Sequence, residues 1–199
     1  MSQIVYTIGH SNGTIERLIE LLKQHSITAV ADIRSQPYSR FNPQFNREVL
    51  ASSLKNEGLE YVFLGNELGA RSDDPACYRN GRALYSLMAT TELFQRGITR
   101  LCAGMDRFTV AMLCAEKEPL ACHRGILVSP YLQKRGIPVL HILQEGKLEH
   151  HEASLVRLLE MHRLQDEHLF HSREERIALA YEKQAEQIQY TRDEESQTA

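Results

Sequence analysis

Along the first 145 residues, short β-branched and apolar runs alternate with longer stretches whose apolar positions recur at helical spacing. That alternation predicts an α/β fold, a single domain on a mostly parallel sheet of roughly five strands flanked by helices in Rossmann-like layers. Strands are expected over residues 4–8, 28–33, 61–64, 108–114 and 139–143, the fourth being the most apolar run and therefore central. Ile15, Leu18, Ile19 and Leu22 mark a first helix with Ser11 or Thr14 as its cap, and Val49, Leu50 and Leu54 a second that closes at Gly58. Helical spacing returns from Ala83 to about Met105, over 122–135 with a kink expected at Pro130, and around Leu155, Leu158, Leu159 and His162.

The pattern weakens towards the end of the chain. Residues 1–164 read as the α/β domain, and 165–190 as a weakly amphipathic helical extension lying on the domain or on a partner. Residues 191–199 carry almost nothing apolar and read as a disordered tail.

Composition changes this picture little: 199 residues with 42% hydrophobic and 25% charged side chains suit one domain with its own core. No run approaches the roughly 20 apolar residues of a membrane span, and no basic stretch precedes an apolar one at the start, so no membrane association and a cytoplasmic location are expected. The four cysteines, Cys77, Cys102, Cys114 and Cys122, form no Cys-x-x-Cys pair and read as reduced thiols. Charge matters more. The net value of −3 hides nine acidic and four basic residues from Gln165 onward, which leaves the first 164 residues at +2.

In an open parallel sheet, ligands bind beyond the carboxyl ends of the strands, where loops and helix N-termini converge. Gly9, His10 and Ser11 follow the first strand; Asp32, Arg34, Ser39 and Arg40 follow the second; Arg71 follows the third; and Cys114, Glu116, Cys122, His123 and Arg124 follow the fourth. Arg34, Arg40, Arg71 and Arg124 suit bidentate pairing with phosphate or carboxylate, although any one of them can equally serve as structural glue, Arg34 with Asp32 or Glu116 for example. Arg124 stands in a first helical turn, where the dipole disfavours cations, which points to a bound anion or a nearby carboxylate. Glu116 is the candidate general acid, base or nucleophile and Asp32 its candidate counterpart. His10 and His123 are candidate proton carriers or orienters.

The cysteines carry less. Cys122 opens a helix beside His123 and Arg124, which favours a thiolate, but neither Cys122 nor Cys114 has the arginine that a Cys-x5-Arg phosphate loop requires, so Cys114 reads as a plain buried thiol. Zinc ligation by Cys114, Cys122 and His123, with His141 or His10, lacks a short ligand spacing, since seven residues separate the cysteines. No cofactor and no metal ligand are expected. His150, His151, His162, His168 and His171 lie in polar helical sequence and read as solvated. Gly9 to Gly13 opens a helix as a phosphate-cradling loop would, but matches neither the dinucleotide fingerprint nor the P-loop. Tyr38, Phe41 and Phe45 interleave with Arg34, Arg40 and Arg47, a composition suited to stacking on bases or to pinning the loop down.

Taken in order, Tyr6-Thr7-Ile8-Gly9-His10-Ser11, Asp32-Ile33-Arg34 with Pro37, Ser39, Arg40 and Phe41, Leu68-Gly69, Cys114-Ala115-Glu116, Cys122-His123-Arg124 and His141-Ile142 resemble the family catalogued as domain of unknown function 488. The resemblance implies a compact parallel α/β fold and a connection with nucleotides or nucleic acids, including cleavage of an N-glycosidic bond.

The leading expectation is an enzyme of hydrolase or glycosidase type acting on a phosphorylated ligand, a nucleotide or nucleic acid, with Glu116 reactive, Asp32, His10 and His123 assisting, and Gly9, Ser11, Arg34, Ser39, Arg40, Arg71, Cys122 and Arg124 binding. One alternative is a non-catalytic module that binds an anion or nucleotide and reports to a protein partner, or forms a homodimer, through its C-terminal helices. A second is a metal-dependent hydrolase using the Cys and His residues.

Overall fold

Strand β1 (Val5–Gly9) runs at the centre of a six-stranded sheet, and the computed structural model describes residues 4–165 and 171–192 around it. The chain continues through α1 (Ile15–Gln24), β2 (Ala29–Asp32), α2 (Arg47–Asn56), β3 (Glu60–Phe63), α3 (Gly65–Leu68) and the two-residue strands β4 (Tyr78–Arg79) and β5 (Arg82–Ala83). After α4 (Tyr85–Met88) and α5 (Glu92–Met105) come β6 (Val110–Cys114), α6 (Ser129–Lys134), β7 (Val139–Ile142), β8 (Leu148–His150), α7 (His151–Met161) and α8 (Arg173–Ile188). Sheet order is β3-β2-β6-β1-β7-β8, with only β8 antiparallel; β4 and β5 pair separately.

Alternation along the buried strands divides the core in two. Ala111 and Leu113 of β6, with Ile8 and Val30, meet Leu18, Leu21 and Leu22 of α1 and Leu50 and Leu54 of α2 on one face. Val110 and Met112, with Val5, Ala29 and Ala31, meet α5, α6, α7 and α8 on the other. All five residues of β6 are buried, as the most apolar run in the sequence requires. No helix among the described residues is long and apolar enough to cross a membrane.

The departures from the sequence reading have local causes. The expected helix from Ala83 to Met105 breaks at Thr90 and Thr91, and Thr91 Oγ1 caps α5 by accepting from Phe94 N. The irregularity expected at Pro130 lies just ahead of it. Residues 124–128 form a π-helical turn, and both the amide and the hydroxyl of Ser129 donate to Arg124 O, leaving Pro130 in the first turn of α6, where its missing N–H costs nothing. α1 is capped by Thr14 rather than Ser11. Strand β8 adds a sixth, antiparallel member to the expected five.

His151, expected in solvent, is fully buried. His141 Nδ1 meets Thr7 Oγ1 at 2.7 Å, His141 Nε2 meets His151 Nδ1 at 2.9 Å, and His151 Nε2 meets the Tyr181 hydroxyl of α8 at 2.8 Å. Burial pushes the His151 pKa down to about 4 and holds His141 well below the ordinary value. His162 bonds Gln184, His150 and His171 are exposed, and His168 lies outside the described residues.

α8 spends its apolar positions on its own domain: Ala180 is buried, and Ile177, Tyr181, Ala185 and Ile188 pack against the main core. Beyond it, Tyr190 O accepts from Ala83 N, and Arg192 N donates to Gly81 O; the rest of the expected tail, residues 193–199, lies outside the described residues.

Candidate active site

At the carboxyl edge of the sheet, the loops after β1, β2 and β6 are tied together through the backbone. His10 N and Ser11 N donate to Cys114 O and Ala115 O, and Ile33 N donates to Leu113 O, so the pairing continues past the strands. Gly9 sits opposite Cys114, and a Cβ there would come within 1.8 Å of Glu116 O. No other residue lets the β6 loop fold back this closely. That loop reverses through the turn Pro119–Ala121, where Glu118 caps Leu120 N and Gln184 of α8 donates to Leu120 O, and so returns Cys122 to the side of Cys114.

The β2 end is closed. Asp32, with no exposed surface, accepts from Arg34 Nε at 2.9 Å and Arg34 Nη2 at 2.6 Å, as well as from Arg34 N and the Tyr61 hydroxyl. Arg34 Nη2 also reaches Phe45 O, and its Nη1 donates to His10 Nε2 at 3.1 Å. A guanidinium can only donate, so His10 carries its proton on Nδ1, which bonds Ser11 O at 2.7 Å. Burial, reinforced by Arg34, pushes the His10 pKa down to about 4 and keeps the ring neutral. Phe45 stacks on it with centroids 4.1 Å apart. The acceptor positions of the Asp32 carboxylate and His10 Nε2 are all used, and the pairing of Arg34 with Asp32 is the structural one.

The β6 end is open. Cys114 Sγ lies 2.9 Å from Cys122 Sγ and 3.0 Å from Glu116 Oε2. His123 Nδ1 stands 3.6 Å from the first sulfur and 3.8 Å from the second. On its far side His123 Nε2 donates to Ile33 O at 3.0 Å, which turns Nδ1 towards the sulfurs. Burial opposes ionisation of both thiols. It raises Cys114 well above the ordinary thiol value, and in Cys122 the Cys114 hydrogen bond, Arg124 and His123 overcome it and lower the pKa. Burial works against a charge on His123 as well, but the neighbouring Cys122 raises its pKa above the ordinary value. Glu116 is exposed as a residue, yet desolvation of its carboxyl and the Cys122 charge raise its pKa.

Arg124 lies beneath this group, 1% exposed, with Nη1 and Nη2 donating to Glu116 O and Lys117 O and Nε without a partner. It braces the loop from inside. Arg71 stacks on Tyr190 with 4.3 Å to the ring centroid and donates to Gln36 Oε1, and its amide donates to Ser35 Oγ. Ser39 stays in its own loop, accepting from Phe41 N and Asn42 N, and Arg40 lies exposed over Phe41. Ser11 adopts φ 53° in the turn.

A cavity of about 280 Å³ opens here, lined by Arg34, Arg71, Cys114, Glu116 and His123 together with Tyr190. Two others, of about 240 and 430 Å³, are lined by none of the strand-end residues. The structure thus gathers Arg34, Arg71, Glu116 and His123 around one cavity, sets Cys122 and Arg124 behind it, places His10 and Asp32 in the closed group, and leaves Ser39 and Arg40 on a separate loop. Sequence reasoning passed over Tyr61, which holds Asp32, and Tyr190, which reaches the cavity from the C-terminal segment; nothing in the spacing of either marks it.

The pattern that defines domain of unknown function DUF488 matches residues 14–130. The chain belongs to the DUF488 family. The matched span covers β2 and β6 and the strand-end residues from Asp32 to Arg124 that line or support the cavity, while β1 and the C-terminal helices fall outside it. No functionally curated protein and no solved structure matches the chain.

Proposed function

We propose that this DUF488 protein is an enzyme acting on a small phosphorylated ligand of nucleotide type, taken up in the strand-end cavity. The observation that carries the reading is the lining itself: the Glu116 carboxyl and the His123 side face the same space as the Arg34 and Arg71 side chains. Arg71 supplies the donors for an anionic group, because Arg34 is already committed to Asp32 and Arg124 to backbone carbonyls. Glu116 exchanges the proton in the reaction. Asp32 does not join it, since all its acceptor sites are filled.

Exposed aromatic surface supports the choice of a nucleotide. Tyr38 and Phe41 are 58% and 78% exposed on the loop leading from β2, and Asn42 and Gln44 tie that loop to the loop after β1. Rings held in this way offer a face for a base. A single carboxylate in the cavity suits hydrolysis of an N-glycoside, in which Glu116 takes a proton from water as the water displaces the base from the anomeric carbon, better than the paired-carboxylate scheme of O-glycoside hydrolysis.

A thermal-shift screen of nucleotides and sugar phosphates, followed by product analysis of the hits, tests the reading. Glu116→Gln should retain the shift and lose turnover, and Arg71→Ala should weaken binding by about tenfold, as loss of a charged hydrogen bond does. Turnover unchanged in Glu116→Gln, or no phosphorylated compound that shifts the protein, would overturn it.

A further inference from the structure

We propose that Cys114, Cys122 and His123 form a binding site for a divalent metal ion of the zinc class, with Glu116 beside a fourth position that opens into the cavity. The inference goes beyond the function proposed above and does not depend on it. It takes up the second alternative of the sequence reading, whose leading expectation held no metal because seven residues separate the cysteines. The reversal at Pro119–Ala121 removes that objection by folding the second cysteine back onto the first.

Among the described residues, the two sulfurs and His123 Nδ1 lie within 4.8 Å of one another, and all three residues are buried. An ion of this class binds thiolate at about 2.3 Å and imidazole at about 2.0–2.1 Å in a tetrahedron, which sets sulfur and nitrogen ligands about 3.6 Å apart and two sulfurs about 3.8 Å apart. The sulfur–nitrogen separations of 3.6 and 3.8 Å already fit. The sulfurs, at 2.9 Å, must part by roughly 0.9 Å, within reach of small side-chain rotations.

The surroundings match a metal-bound imidazole. A backbone carbonyl only accepts, so the bond from His123 Nε2 to Ile33 O fixes the proton there and leaves Nδ1 with a free lone pair towards the sulfurs. Two sulfurs and an imidazole select a borderline-soft ion over magnesium or calcium. Charge also balances. Two thiolates neutralise the ion, and the Glu116 carboxylate beside them offsets the buried Arg124 guanidinium, whose two bonded nitrogens meet only carbonyls. Cys114, Glu116 and His123 line the cavity, so the fourth position faces it.

The test is a titration of the full chain, stripped with a chelator and kept reduced by a phosphine, with cobalt(II) read by absorption and zinc(II) read by competition with a chromophoric chelator. The expected result is one ion per chain with a thiolate-to-cobalt charge-transfer band. That band should be lost in Cys122→Ser and Cys114→Ser, retained but with at least tenfold weaker binding in His123→Gln, and unchanged in Cys102→Ser. Alkylation of the wild-type chain provides a readout independent of any variant's folding: zinc should protect Cys114 and Cys122 and leave Cys102 reactive. No charge-transfer band, a band that survives Cys122→Ser, or no protection would overturn the proposal, and so would a Cys114–Cys122 disulfide that persists under the phosphine and excludes the ion.

Discussion

The ends of β2 and β6 lie side by side at one edge of the sheet, yet they use the same kinds of side chain in opposite ways. At β2 a carboxylate, a guanidinium, an imidazole and a phenol bond one another, and the carboxylate has no acceptor position left for a ligand. At β6 two thiols, an imidazole and a carboxyl crowd together, and Cys114, His123 and Glu116 line a cavity. Polar residues at a strand end are therefore not a site by position alone. The closed group holds the floor on which the open one stands, since His123 hangs from Ile33, between Asp32 and Arg34.

Breaking the closed group should cost most. Arg34→Leu leaves the Asp32 carboxylate buried and unpaired and should lower unfolding free energy by about 3–5 kcal/mol in urea denaturation. Gly9→Ala forces a methyl against Glu116 O and should cost about 1–3 kcal/mol while displacing the β6 loop, visible as a change in the reactivity of Cys114 and Cys122. Tyr61→Phe removes one of the bonds to Asp32 and should cost about 1 kcal/mol.

Acid sensitivity of the fold should arise partly outside both regions, in the buried His141–His151–Tyr181 chain, where Glu149 and Glu152 are the carboxylates that favour charge on His151. The His151 pKa is lowered from 6.5 to about 4, so below pH 6.5 the unfolded chain takes a proton that the folded chain refuses. Its contribution to stability is present above that pH and is lost towards pH 4, with a slope approaching about 1.4 kcal/mol per pH unit. His151→Gln should flatten this part of the profile in urea titrations between pH 4 and 7. An unchanged profile would place the sensitivity elsewhere.

The layers of the fold were legible because β-branched runs and helical stretches alternate on a scale of several residues. β4, β5 and β8 were not, because two or three residues carry no readable period. His151 was misjudged for a related reason: its sequence neighbours Glu149, His150 and Glu152 are polar, and the contacts that bury it come from His141 and from Tyr181, thirty residues away. Which strand-end residues gather was readable only as far as the strands themselves. Whether Arg34 is free or spent depends on side-chain geometry that no spacing encodes, and the meeting of Cys114 with Cys122 depends on a three-residue reversal held by α8.

The contrast between the two strand ends is tested most directly by urea unfolding of Asp32→Asn and Glu116→Gln side by side, each exchanging one carboxylate for an amide of the same shape. Asp32→Asn should lose about 3 kcal/mol or more, because the buried Arg34 charge is left uncompensated, and Glu116→Gln should stay within about 0.5 kcal/mol of the parent chain. Equal losses, or a larger loss for Glu116→Gln, would contradict the assignment of scaffold to β2 and of chemistry to β6.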